Sequence, residues 1–242
     1  MPAIWLLALD TSTPCTALAL GRVDRDTGTH ELVAHATHDD REAPASSLLA
    51  PRISALLNEV GISARQLGAV GCGVGPGMFT GTRVALATAK GLAFALPCPL
   101  FVVSTLAGVA GGAARDGEVL ALLDARRGEV YAARFTLDAG GPRMQGEARC
   151  CPIGQVLSDM AQGPDLQVIG PGAAAQAEAL VGYATWPTIG ATGEGLWRAG
   201  VHCVVHEAPA DLDNVDAVYL RASYAELGTH TPRRTPYRSP FA

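Results

Sequence analysis

Residues 69–96, AVGCGVGPGMFTGTRVALATAKGLAFAL, constrain this chain more than any other stretch. An apolar, small-residue run from Ala69 to Val74 enters a glycine loop, Gly75 to Gly81, and a helix-like segment follows from about Thr82 to Leu96. A strand, a glycine loop and a helix can bring backbone N–H groups up to a phosphate. The same arrangement lets two backbones approach closely, because glycine has no Cβ. The loop is not a standard nucleotide motif. Its glycines fall at 75, 77 and 81, one residue too wide for G-x-G-x-x-G, and Lys90 lies two turns into the helix. The helix is unusually lean. Ala85, Ala87, Ala89, Gly91, Ala93 and Ala95 leave little bulk on any face, which suits close approach to its own sheet or to a partner helix.

The segments around this block alternate. Ile4–Leu9, Cys15–Gly21 and Glu31–Thr37 read as strands, the last two joined by a polar turn into a hairpin. Leu48, Leu49, Ile53, Leu56, Leu57 and Val60 repeat at helical spacing over 47–60. Pro51 is expected to kink that helix or confine its regular part to later residues. A strand at Leu100–Val103 and a helix from Thr105 complete the order βββαβαβα, which predicts a mixed sheet with helices on its faces. A second unit begins near Gly117, with strands at 119–123, 130–135 and 167–170 and helices at 154–161, 173–181 and 193–204. The reading gives an N-terminal lobe over 1–115, a C-terminal lobe over 116–227, and a disordered Pro/Arg tail over 228–242.

Composition narrows the function. The net charge of −5 argues against a whole-surface nucleic-acid binder. The basic tail, with Arg233, Arg234 and Arg238 beside Tyr237, could touch an RNA backbone, although most such tails are solvated linkers. The six cysteines include no CxxC pair and several sit in apolar runs, as reduced core residues of a cytoplasmic protein would. No apolar run reaches the ~20 residues of a membrane span. Asp10-Thr11-Ser12 and Asp124 each follow a strand, one in each half, and are candidates for a nucleotide cleft. A simple Asx or ST turn capping the hairpin is the more economical reading of the first group. His202, Cys203 and His206 have i, i+4 spacing, with no further ligand nearby in sequence.

Five segments together resemble the bacterial TsaB (YeaZ) family of tRNA threonylcarbamoyladenosine biosynthesis: ALDTST at 8–13, GPGMFTGTRVALATAKGLAFAL at 75–96, VSTLAGVA at 103–110, ALLDARRGEVYAARF at 121–135 and VYLR at 218–221. The likeness is dense over the first ~135 residues and thin beyond. It implies an α/β fold of the actin/sugar-kinase/Hsp70 (ribonuclease H-like) type with two lobes, the C-terminal one reduced. It implies a scaffold subunit that carries no catalytic site, needs no cofactor or metal, and pairs with its paralogue TsaD, with the ATPase TsaE joining the pair. The TsaD complex adds threonylcarbamoyl to N6 of adenosine 37 in tRNAs that read ANN codons, so tRNA is met through the complex. Alone, such a subunit could pair with a second copy, a point that the sequence leaves open between monomer and homodimer.

The resemblance implies pairing through the two N-terminal-lobe helices. On them it points to Leu48, Leu49, Arg52, Leu56, Val84, Thr88, Ala89 and Leu92, beside the glycine loop residues Gly75, Gly77 and Gly81. Asp10, Thr11, Ser12 and Asp124 would be the remnant of a nucleotide cleft. The stretch 103–109, where the catalytic paralogue carries two metal-binding histidines, contains no His, Asp, Glu or Cys. Two positions depart from the family: Pro44 stands where a histidine is usual, and Met78 where a serine is usual. The alternative within the same superfold is an ATP-dependent small-molecule kinase built around Asp10 and Asp124.

Overall fold

The computed structural model describes residues 2–40, 45–163 and 165–220. Pro44 and the tail from residue 228 lie outside the described residues.

Three strands, β1 (Ile4–Asp10), β2 (Cys15–Val23) and β3 (His30–Asp39), open the chain. They are followed by α1 (Ala45–Val60), β4 (Leu67–Gly73), α2 (Phe79–Ala95), β5 (Leu100–Val103) and α3 (Thr105–Ala110). The strands form one sheet in the order β3-β2-β1-β4-β5, antiparallel at the hairpins and parallel across β1, β4 and β5.

The second half repeats this plan. β6 (Gly117–Arg126), β7 (Glu129–Asp138) and β8 (Gly141–Pro152) precede α4 (Ile153–Met160), β9 (Gln167–Ile169), α5 (Pro171–Ala175), β10 (Ala184–Trp186) and α6 (Gly193–His206). Its sheet order, β10-β9-β6-β7-β8, is the same order run through the second set of strands. The reduction of this lobe is in length, since β9, β10 and α5 are only 3, 3 and 5 residues long.

Alternation in β1 and β2 sends side chains to two different cores. Leu6, Ala8, Ala17 and Ala19 face inward, onto α3 and α6. Beyond those helices lie Val119, Ala121, Ala133 and Phe135 of the second sheet. Leu7, Leu9, Leu18 and Leu20 face outward, under Leu49, Ile53, Leu56 and Leu57 of α1 and Ala85, Leu86 and Ala89 of α2. The outer face of the second sheet is covered by α4 and α5. Five layers result, with α3 and α6 as the shared middle one. Small residues make that middle layer thin: a Cβ on Gly195 would lie 2.3 Å from the Gly108 carbonyl oxygen.

After α6 the chain crosses back to the first lobe. The Ala210 N–H donates to the Leu100 carbonyl, covering part of the free edge of β5 (2.7 Å). Leu212 and Val215 pack on the outer core, and Lys90 Nζ donates to the Val215 carbonyl at 3.3 Å. The Val218 N–H ends the strap on the Val74 carbonyl at 2.7 Å. Residues 207–220 are therefore covalently continuous with the second half but packed on the first.

Several boundaries differ from the sequence reading. α1 continues for six residues ahead of Pro51. α2 starts at Phe79, so Gly81 belongs to its first turn rather than to the loop. β8 and β10 lack the apolar alternation that marks a strand, because their side chains are largely exposed.

Candidate functional site

The glycine loop meets the turn between β1 and β2 backbone to backbone. The Met78 N–H donates to the Ser12 carbonyl at 2.6 Å, and Thr11 Oγ1 donates to the Gly81 carbonyl at 2.6 Å. A Cβ on Gly77 would lie 2.2 Å from the Ser12 carbonyl oxygen, and one on Gly81 would lie 1.9 Å from that of Thr11. These glycines admit a neighbouring backbone, the second of the two uses open from sequence. Gly75 is tied to α3: its N–H donates to Thr105 Oγ1 and its carbonyl accepts from the Thr105 N–H.

Asp10 is buried beneath this junction. Its Oδ1 accepts from the Ser12 N–H at 2.6 Å, and its Oδ2 accepts from Thr105 Oγ1 at 2.8 Å. Burial raises its pKa above the ordinary carboxylate value, and the hydrogen bonds from Ser12 and Thr105 offset part of that rise. The group works as an internal strut joining β1, the β1–β2 turn and α3.

A cleft of about 510 Å³ opens between the lobes above that strut. Its N-terminal lip is Ser12, Thr13, Pro14, Gly77, Met78 and Phe79; the other lip is Leu123 to Arg126, Tyr131, Pro171 and Ala175. Asp10 and Thr11 do not line it. Asp124 does, and its carboxylate is committed to Arg126, accepting from the N–H at 2.7 Å and lying 3.3 Å from the guanidinium. Among the described residues no group of three or more His, Cys, Asp and Glu side chains is placed to hold a metal. Cys203 faces the inner core, while the His202 and His206 rings lie against each other, tilted by 47°, with centroids 4.8 Å apart. The kinase alternative has no support in this geometry, because one of its two carboxylates is sealed in and the other is paired.

The helix residues divide sharply. Leu49, Leu56 and Ala89 are buried against their own sheet and cannot meet a partner, a correction to the sequence expectation. Periodicity reports that a face is apolar, not what covers it. Arg52 is also internal: it donates to Thr16 Oγ1 at 2.9 Å and to the Asp40 carboxylate, fastening α1 to the sheet. Leu48, Val84, Thr88 and Leu92 are half-buried along the flanks. The outward ridge of α2 comprises Arg83, Ala87, Gly91, Phe94 and Ala95. Phe94 is 81% exposed, and a Cβ on Gly91 would meet nothing within 4 Å. The sequence reading omitted Phe94. A large aromatic, out of phase with the buried positions of an alanine-rich helix, was the signal available. No helix among the described residues is long and apolar enough to cross a membrane.

Comparison with known proteins agrees with this architecture. The sequence model of the family described as TsaD, tRNA N6-adenosine threonylcarbamoyltransferase, matches residues 43–176, more than half of the chain. The Escherichia coli tRNA threonylcarbamoyladenosine biosynthesis protein TsaB is 36% identical over 139 residues, 56% of this chain and 57% of that protein. This chain thus spans little more than half the length of that curated relative. An uncharacterized protein of Mycobacterium tuberculosis is 36% identical over 166 residues, 68% of this chain and 71% of its own. A Pseudomonas aeruginosa crystal structure, described as similar to the peptidase YeaZ, superposes with a TM-score of 0.78 at 30% identity, covering 90% of this chain and all of that one. With the repeated two-lobe plan, the sealed glycine loop and these matches in sequence and in fold, the chain belongs to the TsaB/YeaZ family.

Proposed function

We propose that this chain serves threonylcarbamoyladenosine formation on tRNA as a non-catalytic scaffold, and that the outer ridge of α2 with the adjoining side of α1 docks the catalytic paralogue TsaD. The observation that carries the reading is the ridge itself. Interior glycine costs about 1 kcal/mol against alanine in a helix. At Gly91 no contact among the described residues requires that cost. An exposed Phe94 one turn along adds a large apolar anchor beside it. Small residues for close helix approach, with one aromatic to fill a pocket, suit an interface where a few contacts carry the energy.

The strutted Asp10 and the loop closed by Thr11 and Ser12 support a structural rather than chemical role for the first lobe. In this reading TsaE joins the assembled pair, tRNA is met through the complex, and the same ridge pairs two copies when TsaD is absent.

The test is co-purification with TsaD and tRNA modification by the reconstituted complex. Gly91→Trp points into open space, so the fold should persist while affinity for TsaD falls at least tenfold, about 1.4 kcal/mol. Full pairing by folded Gly91→Trp would remove this ridge from the interface.

A further inference from the structure

The first turns of α2 hold two exposed aromatic neighbours and an arginine with no acid to pair with. Phe79 is 53% exposed and Tyr219 of the strap is 44% exposed, with their ring centroids 5.6 Å apart. The Arg83 guanidinium sits 3.7 Å above the centre of the Phe79 ring, and its Nε donates to the Tyr219 hydroxyl at 3.0 Å. Exposed aromatics beside an arginine are the residue types that concentrate at the energetic centres of protein interfaces.

Arg83 differs from most arginines of this chain. Among the described residues seven arginines have a carboxylate within 4.0 Å, and Arg83 has none. Stacking on Phe79 and the bond to Tyr219 fix the plane of the guanidinium and use only Nε. The Nη1–Nη2 edge has no acceptor among the described residues. A guanidinium held flat with that fork of donors free is preorganised for a carboxylate, because little side-chain freedom is lost on binding. The charge of the helix agrees. α2 carries Arg83 and Lys90 and no Asp or Glu, in a chain of net charge −5. Lys90 is turned to the Val215 carbonyl of the strap, so the ridge presents its positive charge at Arg83. Phe79, Arg83, Ala87, Gly91 and Phe94 fall within about 120° of the helix circumference, and about 22 Å of axis separates the first from the last. The small residues between the aromatic ends leave room for one helix laid along α2.

We propose that Arg83, clamped by Phe79 and Tyr219, receives an Asp or Glu carboxylate on the TsaD helix that docks along α2, and so fixes the direction of that helix. The proposal rests on α2 being the docking ridge. Phe94 anchors one end by apolar burial, and Arg83 selects an acid at the other.

The affinity of the full chain for TsaD is measured by isothermal titration calorimetry at about 50 mM and about 500 mM salt, for the parent, Arg83→Gln, Arg83→Glu and Gly91→Trp. Circular dichroism checks that each variant is folded. A received carboxylate predicts that Arg83→Gln weakens binding about tenfold in low salt and removes most of the salt dependence. Arg83→Glu sets two carboxylates face to face and should weaken it about tenfold further. Equal affinities of the Gln and Glu variants with the parent's salt dependence would show that Arg83 only packs, and would overturn the proposal. A defect that appears only in tRNA binding by the assembled complex would overturn it too. Parent-like pairing by Arg83→Gln beside a weakened Gly91→Trp would remove the carboxylate contact and leave the ridge standing. Weakened Arg83 variants beside a fully pairing Gly91→Trp would keep the contact and remove the ridge.

Discussion

At the scale of single residues, three glycines in one loop-helix block do opposite work. Gly77 and Gly81 have a carbonyl oxygen where a Cβ would stand, and Gly91 has nothing there. The same substitution should therefore change sign along one helix. Gly81→Ala must displace the Thr11 backbone and should cost about 1–3 kcal/mol. Gly91→Ala should stabilise the isolated chain by up to about 1 kcal/mol. Thermal unfolding of the two variants beside the parent checks both, and a stabilised Gly81→Ala would show that the β1–β2 turn is not packed against α2.

Asp10 makes a second residue-scale case. Both of its oxygens accept hydrogen bonds inside the protein. Asp10→Ala strands the Ser12 N–H and should cost about 1–3 kcal/mol, whereas Asp10→Asn keeps an acceptor for it and should cost less. The pH dependence has a fixed direction. The folded-state pKa lies above the ordinary value, so the folded state holds the proton more tightly than the unfolded chain. That contribution is complete below the unfolded value near 3.8 and is lost as pH rises through the folded one. On acidification from neutrality the parent should gain stability relative to Asp10→Asn. A gap between the two that does not change with pH would show that Asp10 is not buried as a strut.

At the scale of elements, α1 and α2 each have an inner face that holds the lobe and an exposed outer face. Leu56→Ala should cost about 2–5 kcal/mol in stability and leave the docking surface chemically intact. Gly91→Trp should do the reverse, so the two variants separate folding from pairing in the same co-purification assay. This division also explains what was legible in the sequence. The order βββαβαβα, the strand at Leu100–Val103 and the helix beginning at Gly193 could be read because the strand is an unbroken apolar run and the apolar residues of the helix recur at helical spacing. β8 could not, since residues such as Arg143, Gln145 and Glu147 face solvent and its partner β7 supplies the register. Leu49, Leu56 and Ala89 were visible as an apolar face, yet their neighbours on β1, β2 and β4 are distant in sequence. The closed glycine loop was invisible for the same reason, because it depends on Ser12 and Thr11 arriving from another strand.

At the scale of the whole molecule, the repeated plan is joined by one middle layer. α6 belongs to the second half by sequence and packs against β1, β2, β3 and β5 of the first sheet. Trp197 on α6 sits within the inner core, close enough to Gly21 that a Cβ there would lie 2.6 Å from its ring. Neither lobe closes its inner face alone. A fragment ending at residue 115 should bind a hydrophobic dye and lack a cooperative thermal transition, and a sharp two-state melt by that fragment would contradict the shared layer.

The late position of α6 has a consequence for synthesis on the ribosome. The first sheet emerges early, but the helix that covers its inner face is made roughly 100 residues afterwards, a delay of roughly 5–20 s at bacterial elongation rates. During that interval Leu6, Ala8, Ala17 and Ala19 have α3 but not α6 from their own chain. The inner face of the first sheet is thus completed only when α6 has left the ribosome.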